Sequence, residues 1–87
     1  MEVTLTKSAR KALKRLDTQI ASRILAKIEA YAEDPASQAA NVRTLKGRNR
    51  LRLRVGDYRV IFSVDGDVIE VMTVYLIGHR KDVYDGI

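Results

Sequence analysis

The side chains best equipped for chemistry in this sequence are arginines. In RLRLRVGDYRVIF, Arg50, Arg52 and Arg54 alternate with aliphatic residues, Gly56-Asp57 interrupts the run, and Arg59 follows. Guanidinium is planar, permanently charged and able to grip a phosphate through two parallel N–H donors. Lys46 and Arg48 extend the run upstream, so the stretch from Arg43 to Arg59 holds seven basic residues against one acid, Asp57. The chain as a whole carries +5, which makes the positive charge a local patch rather than a general property. Such a patch suits a polyanion.

A second set of capable groups lies in GHRKDVY near the C-terminus: His79, Arg80 and Tyr84. Cleaving RNA without a metal requires a base for the 2′-OH, a cation for the crowded phosphate and an acid for the departing 5′-oxygen. Arginine meets the second need through charge stabilisation and fails the first, because it keeps its proton in proteins. His79 is suited to acid–base work near neutral pH, or else bonds only to backbone at the turn. Tyr84 can donate a proton, stack on a base, or close the end of the core.

These residues need a scaffold that sets them on one surface. Glu2-Val-Thr-Leu5 alternates and predicts a short strand. Thr6 or Ser8 can cap a helix running to about Leu16, with Ala9, Leu13 and Leu16 on one side. Asp17 caps a second helix to about Glu33, whose stripe is Ile20, Ile24, Leu25, Ile28 and Tyr31. Asp34-Pro35 ends it, since proline disfavours helical geometry in the residue before it. Val42 to Leu45, Leu51 to Val55, Tyr58 to Val64 and Val68 to Ile77 read as strands. Asp65-Gly66 is a hairpin signal, and Gly56-Asp57 fits a two-residue turn with glycine first. The expected fold is α+β: an N-terminal strand and an αα-hairpin packed on one face of an antiparallel sheet of about four strands.

Strand alternation sends Leu51, Leu53 and Val55 toward the helices and Arg50, Arg52 and Arg54 to the open face. A two-residue turn then sets Arg54 directly opposite Arg59. Like charges across a ladder cost a few tenths to about 1 kcal/mol, a cost that neutral polar residues would avoid. An anion site explains the choice; a solvated polar face is the plainer alternative.

The 87 residues predict a single domain spanning 1–87 with one modest core, since so short a chain buries only about 60–65% of its unfolded surface. Cysteine is absent, which removes disulfides and thiolate metal sites, and a lone histidine rules out a histidine-rich zinc site. No apolar run approaches the roughly 18 residues of a membrane span, so a cytoplasmic location with no membrane partner is expected.

LKGRNRLRLRVGDYRVIF and YLIGHRKDVY, in this order and spacing, resemble the RelE branch of the RelE/ParE toxin superfamily, and the likeness covers essentially the whole chain. The resemblance implies a ribosome-dependent ribonuclease that cuts mRNA in the A site without metal or cofactor. It also implies a RelB-like antitoxin that wraps the toxin, and operator DNA bound only by the toxin–antitoxin pair. By the same resemblance Arg50 and Arg52 take the basic positions on the strand, with Arg54 nearby. Arg59 is expected at the scissile phosphate, Arg80 supplies the terminal Gly-x-Arg arginine, and Tyr84 stacks on or orients the attacked nucleotide. Some ribosome-dependent relatives carry lysine where this chain has Arg50 and Arg52. Either the base is another group, with His79 the best local candidate, or cleavage relies on positioning and charge alone. Two other readings follow from the same superfamily: a ParE-like poison of DNA gyrase that hydrolyses nothing, and an RNA-binding relative without catalysis.

Overall fold

Thr6 ends the first strand, β1 (Glu2–Leu5), and starts the first helix, α1 (Lys7–Arg15), in the computed structural model, which describes residues 1–45, 47 and 49–83. Its Oγ1 accepts from the Ala9 N–H at 3.2 Å, satisfying one of the unpaired donors of the first turn. Asp17 does the same for α2 (Thr18–Glu33), with Oδ1 accepting from the Gln19 N–H at 2.9 Å. A 3₁₀ helix (Pro35–Asn41) then carries the chain to the sheet. Ile24, Ile28, Tyr31 and Ala32 are the buried residues of α2, whereas Leu25 lies at the flank of that stripe and is exposed. No helix among the described residues is long and apolar enough to cross a membrane.

The remaining strands are β2 (Val42–Thr44), β3 (Leu51–Val55), β4 (Tyr58–Asp65) and β5 (Val71–His79). The sheet has five strands in the order β1-β5-β4-β3-β2. The expected antiparallel set β2 to β5 is present, and β1 adds to it as a fifth strand, parallel to β5. Alternation marks β1 as a strand but carries no word of its partner. The αα-hairpin between β1 and the sheet acts as a crossover, and a crossover is what permits a parallel neighbour.

Val55 pairs with Tyr58 around Gly56-Asp57, and Gly56 has φ of 58° while Asp57 does not enter the positive-φ region. Glycine first with positive φ is the signature of a type II′ turn, whose twist suits a hairpin. The β4–β5 connection differs from its expectation. Asp65 pairs with Val71, so residues 66–70 form the loop, and Val68 is 97% exposed rather than in a strand. Gly66 adopts φ of 108°, and a Cβ there would strike the Ile69 carbonyl, so the chain rounds a wider bend than a two-residue turn.

Both helices pack on one face of the sheet. Ala9, Ile24, Ile28 and Tyr31 join Leu53, Val55, Val60, Phe62, Met72, Val74 and Ile77 in a single apolar cluster. Full burial of a side chain such as Phe62 or Leu53 stabilises the fold by about 1.5–3 kcal/mol.

A register shift in the β4–β5 ladder decides what reaches the other face. Ile61 pairs with Leu76 and Phe62 with Val74, which leaves Tyr75 as the extra residue of a β-bulge. The bulge resets alternation along β5, so that Ile77 and His79 turn to the helix side while Gly78 pairs with Arg59 on the open side. The freed Tyr75 carbonyl accepts a hydrogen bond from Thr6 Oγ1 at 2.9 Å, tying the bulge to the start of α1.

Candidate nucleic-acid interface

The face opposite the helices carries the arginines. Arg43 pairs with Arg52, and Arg54 with Arg59, so two like-charged couples stand across the ladders. Alternate residues on a strand lie about 6.7 Å apart, which makes Arg50, Arg52 and Arg54 a track rather than a point. Each guanidinium is held differently. Arg54 Nη2 donates to Asn41 Oδ1 at 3.2 Å, and Arg59 Nη1 donates to the Gly56 and Tyr58 carbonyls, both at 2.9 Å. Arg52 is half-buried, and its Nε is a buried donor without a partner among the described residues. Such an orphan costs about 1–3 kcal/mol until something accepts from it. Beside it in the ladder, Ile61 is fully buried yet outside the main core cluster, giving the open face its own apolar floor.

The end of β5 brings Arg80 to the same corner. Its backbone N–H donates to the Asp57 carbonyl at 2.8 Å, and its Nε lies 3.9 Å from Asp57 Oδ1. Arg59 rests on Gly56 and Arg80 on Asp57, so the β3–β4 turn gathers both. After Arg80 the chain turns back, and the buried Val83 packs over Gly78, where an added Cβ would sit 3.4 Å from the valine Cβ.

His79 is not brought to this group. Its ring meets Tyr58 edge to face, centroids 5.6 Å apart, on the helix side of the sheet. Its Nδ1 accepts from the Lys81 N–H at 3.2 Å, so the backbone-bonding role is the one its geometry displays. Lys46, Arg48 and Tyr84 lie outside the described residues.

Sequence reasoning passed over a polar group further along the same face. Arg50 stacks on Tyr75, its Cζ 3.9 Å from the ring centroid. Tyr75 Oη is 3.0 Å from Ser63 Oγ, which in turn donates to Asp65 Oδ2 at 3.1 Å. Ser63 stands opposite Arg50's end of β3, a position readable once β3 and β4 are placed in register. The bulge that sets Tyr75 beside it left no mark in the sequence.

The arrangement offers a cationic track on the open sheet face, a guanidinium donor in its middle without a partner among the described residues, and two arginines gathered at a turn. It can bind and neutralise a phosphodiester chain and stabilise added charge on one phosphate.

The chain matches the family described as the ParE toxin of the type II toxin–antitoxin system, parDE, over residues 3–84. Toxin RelE3 of Methanocaldococcus jannaschii is 36% identical over 88 residues, spanning 98% of this chain and 97% of the relative. A chain of the RelB-RelE antitoxin-toxin complex from Methanococcus jannaschii is 30% identical with a TM-score of 0.68, and 97% of this chain and 98% of that one are covered. A chain of the archaeal RelE-RelB complex from Pyrococcus horikoshii OT3 is 29% identical with a TM-score of 0.74, covering 91% and 93%. With its order of elements and nearly its whole length shared, this chain belongs to the ParE toxin family of type II toxin–antitoxin systems, within the RelE/ParE superfamily.

Proposed function

We propose that the chain is a toxin that cleaves mRNA on the ribosome by attack of a 2′-OH on the neighbouring phosphorus. The attack breaks the P–O5′ bond, leaves a 2′,3′-cyclic phosphate upstream and releases a 5′-OH downstream. The observation that carries this reading is the arginine face: Arg50, Arg52, Arg54 and Arg59 share one open side of the sheet, with Arg80 at the turn beside Arg59. Arg59 and Arg80 offset the charge that builds on the attacked phosphate, and Arg52 and Arg54 hold the flanking backbone. Pre-aimed donors of this kind each contribute on the order of 10²–10³ in rate. Arginine does not shuttle protons; the 2′-OH proton leaves to solvent water as the O2′–P bond forms, and Tyr84 is the residue proposed to donate to the leaving oxygen. The route needs neither metal nor cofactor.

The named relatives crystallised as RelB–RelE complexes, which supports a RelB-like antitoxin as the partner here, wrapping the toxin and covering its cationic face. Operator DNA would be bound by that pair, through the antitoxin. The site of action would be the cytoplasm, where ribosomes translate. The match to the ParE description favours a second reading, binding to DNA gyrase without hydrolysis.

Programmed ribosomes incubated with the purified chain, with mRNA ends mapped and gyrase supercoiling assayed in parallel, test both. Codon-phased cuts that vanish in Arg59→Ala and Arg80→Ala are expected. Intact message together with inhibited gyrase would replace the first reading by the second.

A further inference from the structure

We propose that Arg50, Tyr75, Ser63 and Asp65 form a nucleobase subsite that reads a residue flanking the scissile phosphate. The inference rests on the proposed RNA reading and adds to it a base-recognition element. The hydrogens in the group can be placed by counting. An ionised carboxylate only accepts, so Ser63, with one hydroxyl hydrogen, donates to Asp65 Oδ2. Tyr75 must then donate to Ser63 Oγ, which fixes the direction of the chain as tyrosine to serine to aspartate. Asp65 is exposed at the end of this hydrogen-bonded series, and among the described residues its Oδ1 has no partner and can accept from a ligand.

The flat part of the site is the Arg50–Tyr75 stack. Ring and guanidinium lie against each other at 3.9 Å, and Arg50 is only partly buried, so the outer face of its guanidinium is a platform. Bases stack on arginine planes as they do on aromatic rings in single-stranded RNA recognition. A hollow at the sheet's rim, lined by Thr44, Arg50, Leu51, Ser63 and Val64 among others, opens beside the stack. Arg50 lies four residues before Arg54, and Ser63 four residues after Arg59 on β4, about 13 Å along the sheet. That puts the stack on the phosphate track but off the scissile position.

The chemistry of the edge sets the preference. A carboxylate rewards N–H donors on the Watson–Crick edge of the stacked base. Guanine offers two adjacent donors, adenine and cytosine an amino group, and uracil one N–H between two carbonyls that the carboxylate repels. The expected order is guanine, then adenine and cytosine, then uracil.

The test is fluorescence anisotropy of short 2′-O-methyl RNA strands, which cannot be cleaved, each varied at a single base and titrated with the full chain. The parent should favour guanine over uracil by about tenfold or more. Asp65→Asn should lose most of that ratio while keeping thermal stability. Arg50→Lys should weaken all four strands alike with the salt dependence unchanged, because charge is retained and the plane is lost. Strands that bind through Arg54 and Arg59 with the same base ratio in Asp65→Asn as in the parent would overturn the subsite and leave the RNA reading standing. No binding by any strand would overturn the subsite, whose contacts belong to this chain alone, while the ribosome reading stands or falls by the cleavage of programmed ribosomes.

Discussion

Arg54 and Arg59 are Cα partners across the β3–β4 ladder, yet their guanidinium groups go to different partners. Arg54 reaches Asn41 and Arg59 folds onto the Gly56 and Tyr58 carbonyls. The backbone enforces the meeting of like charges and the side chains relieve it. Repulsion of this kind is worth at most about 1 kcal/mol. Arg54→Thr should therefore leave urea stability unchanged or raised by up to that amount. Affinity for single-stranded RNA should fall, and the slope of log K against log salt should shrink by about 0.7, the value of one phosphate contact. A full loss of stability with an unchanged slope would show that Arg54 is structural.

His79 faces Tyr58 across the helix side of the sheet and hands its Nδ1 to the Lys81 N–H. The prediction is that His79→Ala cleaves at the parent's rate with an unaltered pH–rate profile. It should lose about 0.5–1.5 kcal/mol of stability, the worth of an aromatic pair. A cleavage rate that collapses while the fold holds would return His79 to the acid–base role.

How far the sequence reaches can be judged from these residues. Caps at Thr6 and Asp17, the glycine-first turn at Gly56 and the facing of Arg54 against Arg59 are local consequences of propensity and alternation, and they were legible. The facing of His79 was not. Unbroken alternation from Thr73 would have carried it to the arginine side with Tyr75. The bulge at Tyr75 shifts the parity, and it answers to a tertiary contact, the Thr6 hydroxyl on the Tyr75 carbonyl, that no local pattern encodes. The parallel pairing of β1 is invisible for the same reason, since it depends on residues nearly seventy positions away. The orphaned Arg52 Nε likewise emerges only from packing.

Gly78 leaves the space that Val83 fills, and the turn between them carries Arg80. A methyl group at Gly78 meets the valine at ordinary contact distance, so Gly78→Ala should change stability by less than about 1 kcal/mol. Gly78→Val overfills the same space and should cost about 1–3 kcal/mol. Cleavage should fall further than stability explains, because the segment holding Arg80 is displaced. Urea melts of both variants beside their cleavage rates check this; equal behaviour of the two would mean that Val83 does not depend on the glycine.

Tyr31 closes the core against Phe62, rings edge to face at 4.8 Å. Burial pushes its phenol above the usual value of 10.0, and the Glu70 carboxylate adds to the shift. In the unfolded chain the same phenol ionises near its usual value. Between the two, the native state holds more protons, so stability falls as pH rises upward from about 10. Below that window both states are protonated and the group contributes no slope. Tyr31→Phe keeps the ring and removes the ionisation. Measured by urea unfolding at about pH 8 and again at about pH 11, the parent should lose more stability than the variant. Every other residue is common to both proteins, so the difference isolates Tyr31. Equal losses would mean that the phenol ionises as freely in the fold as in the unfolded chain.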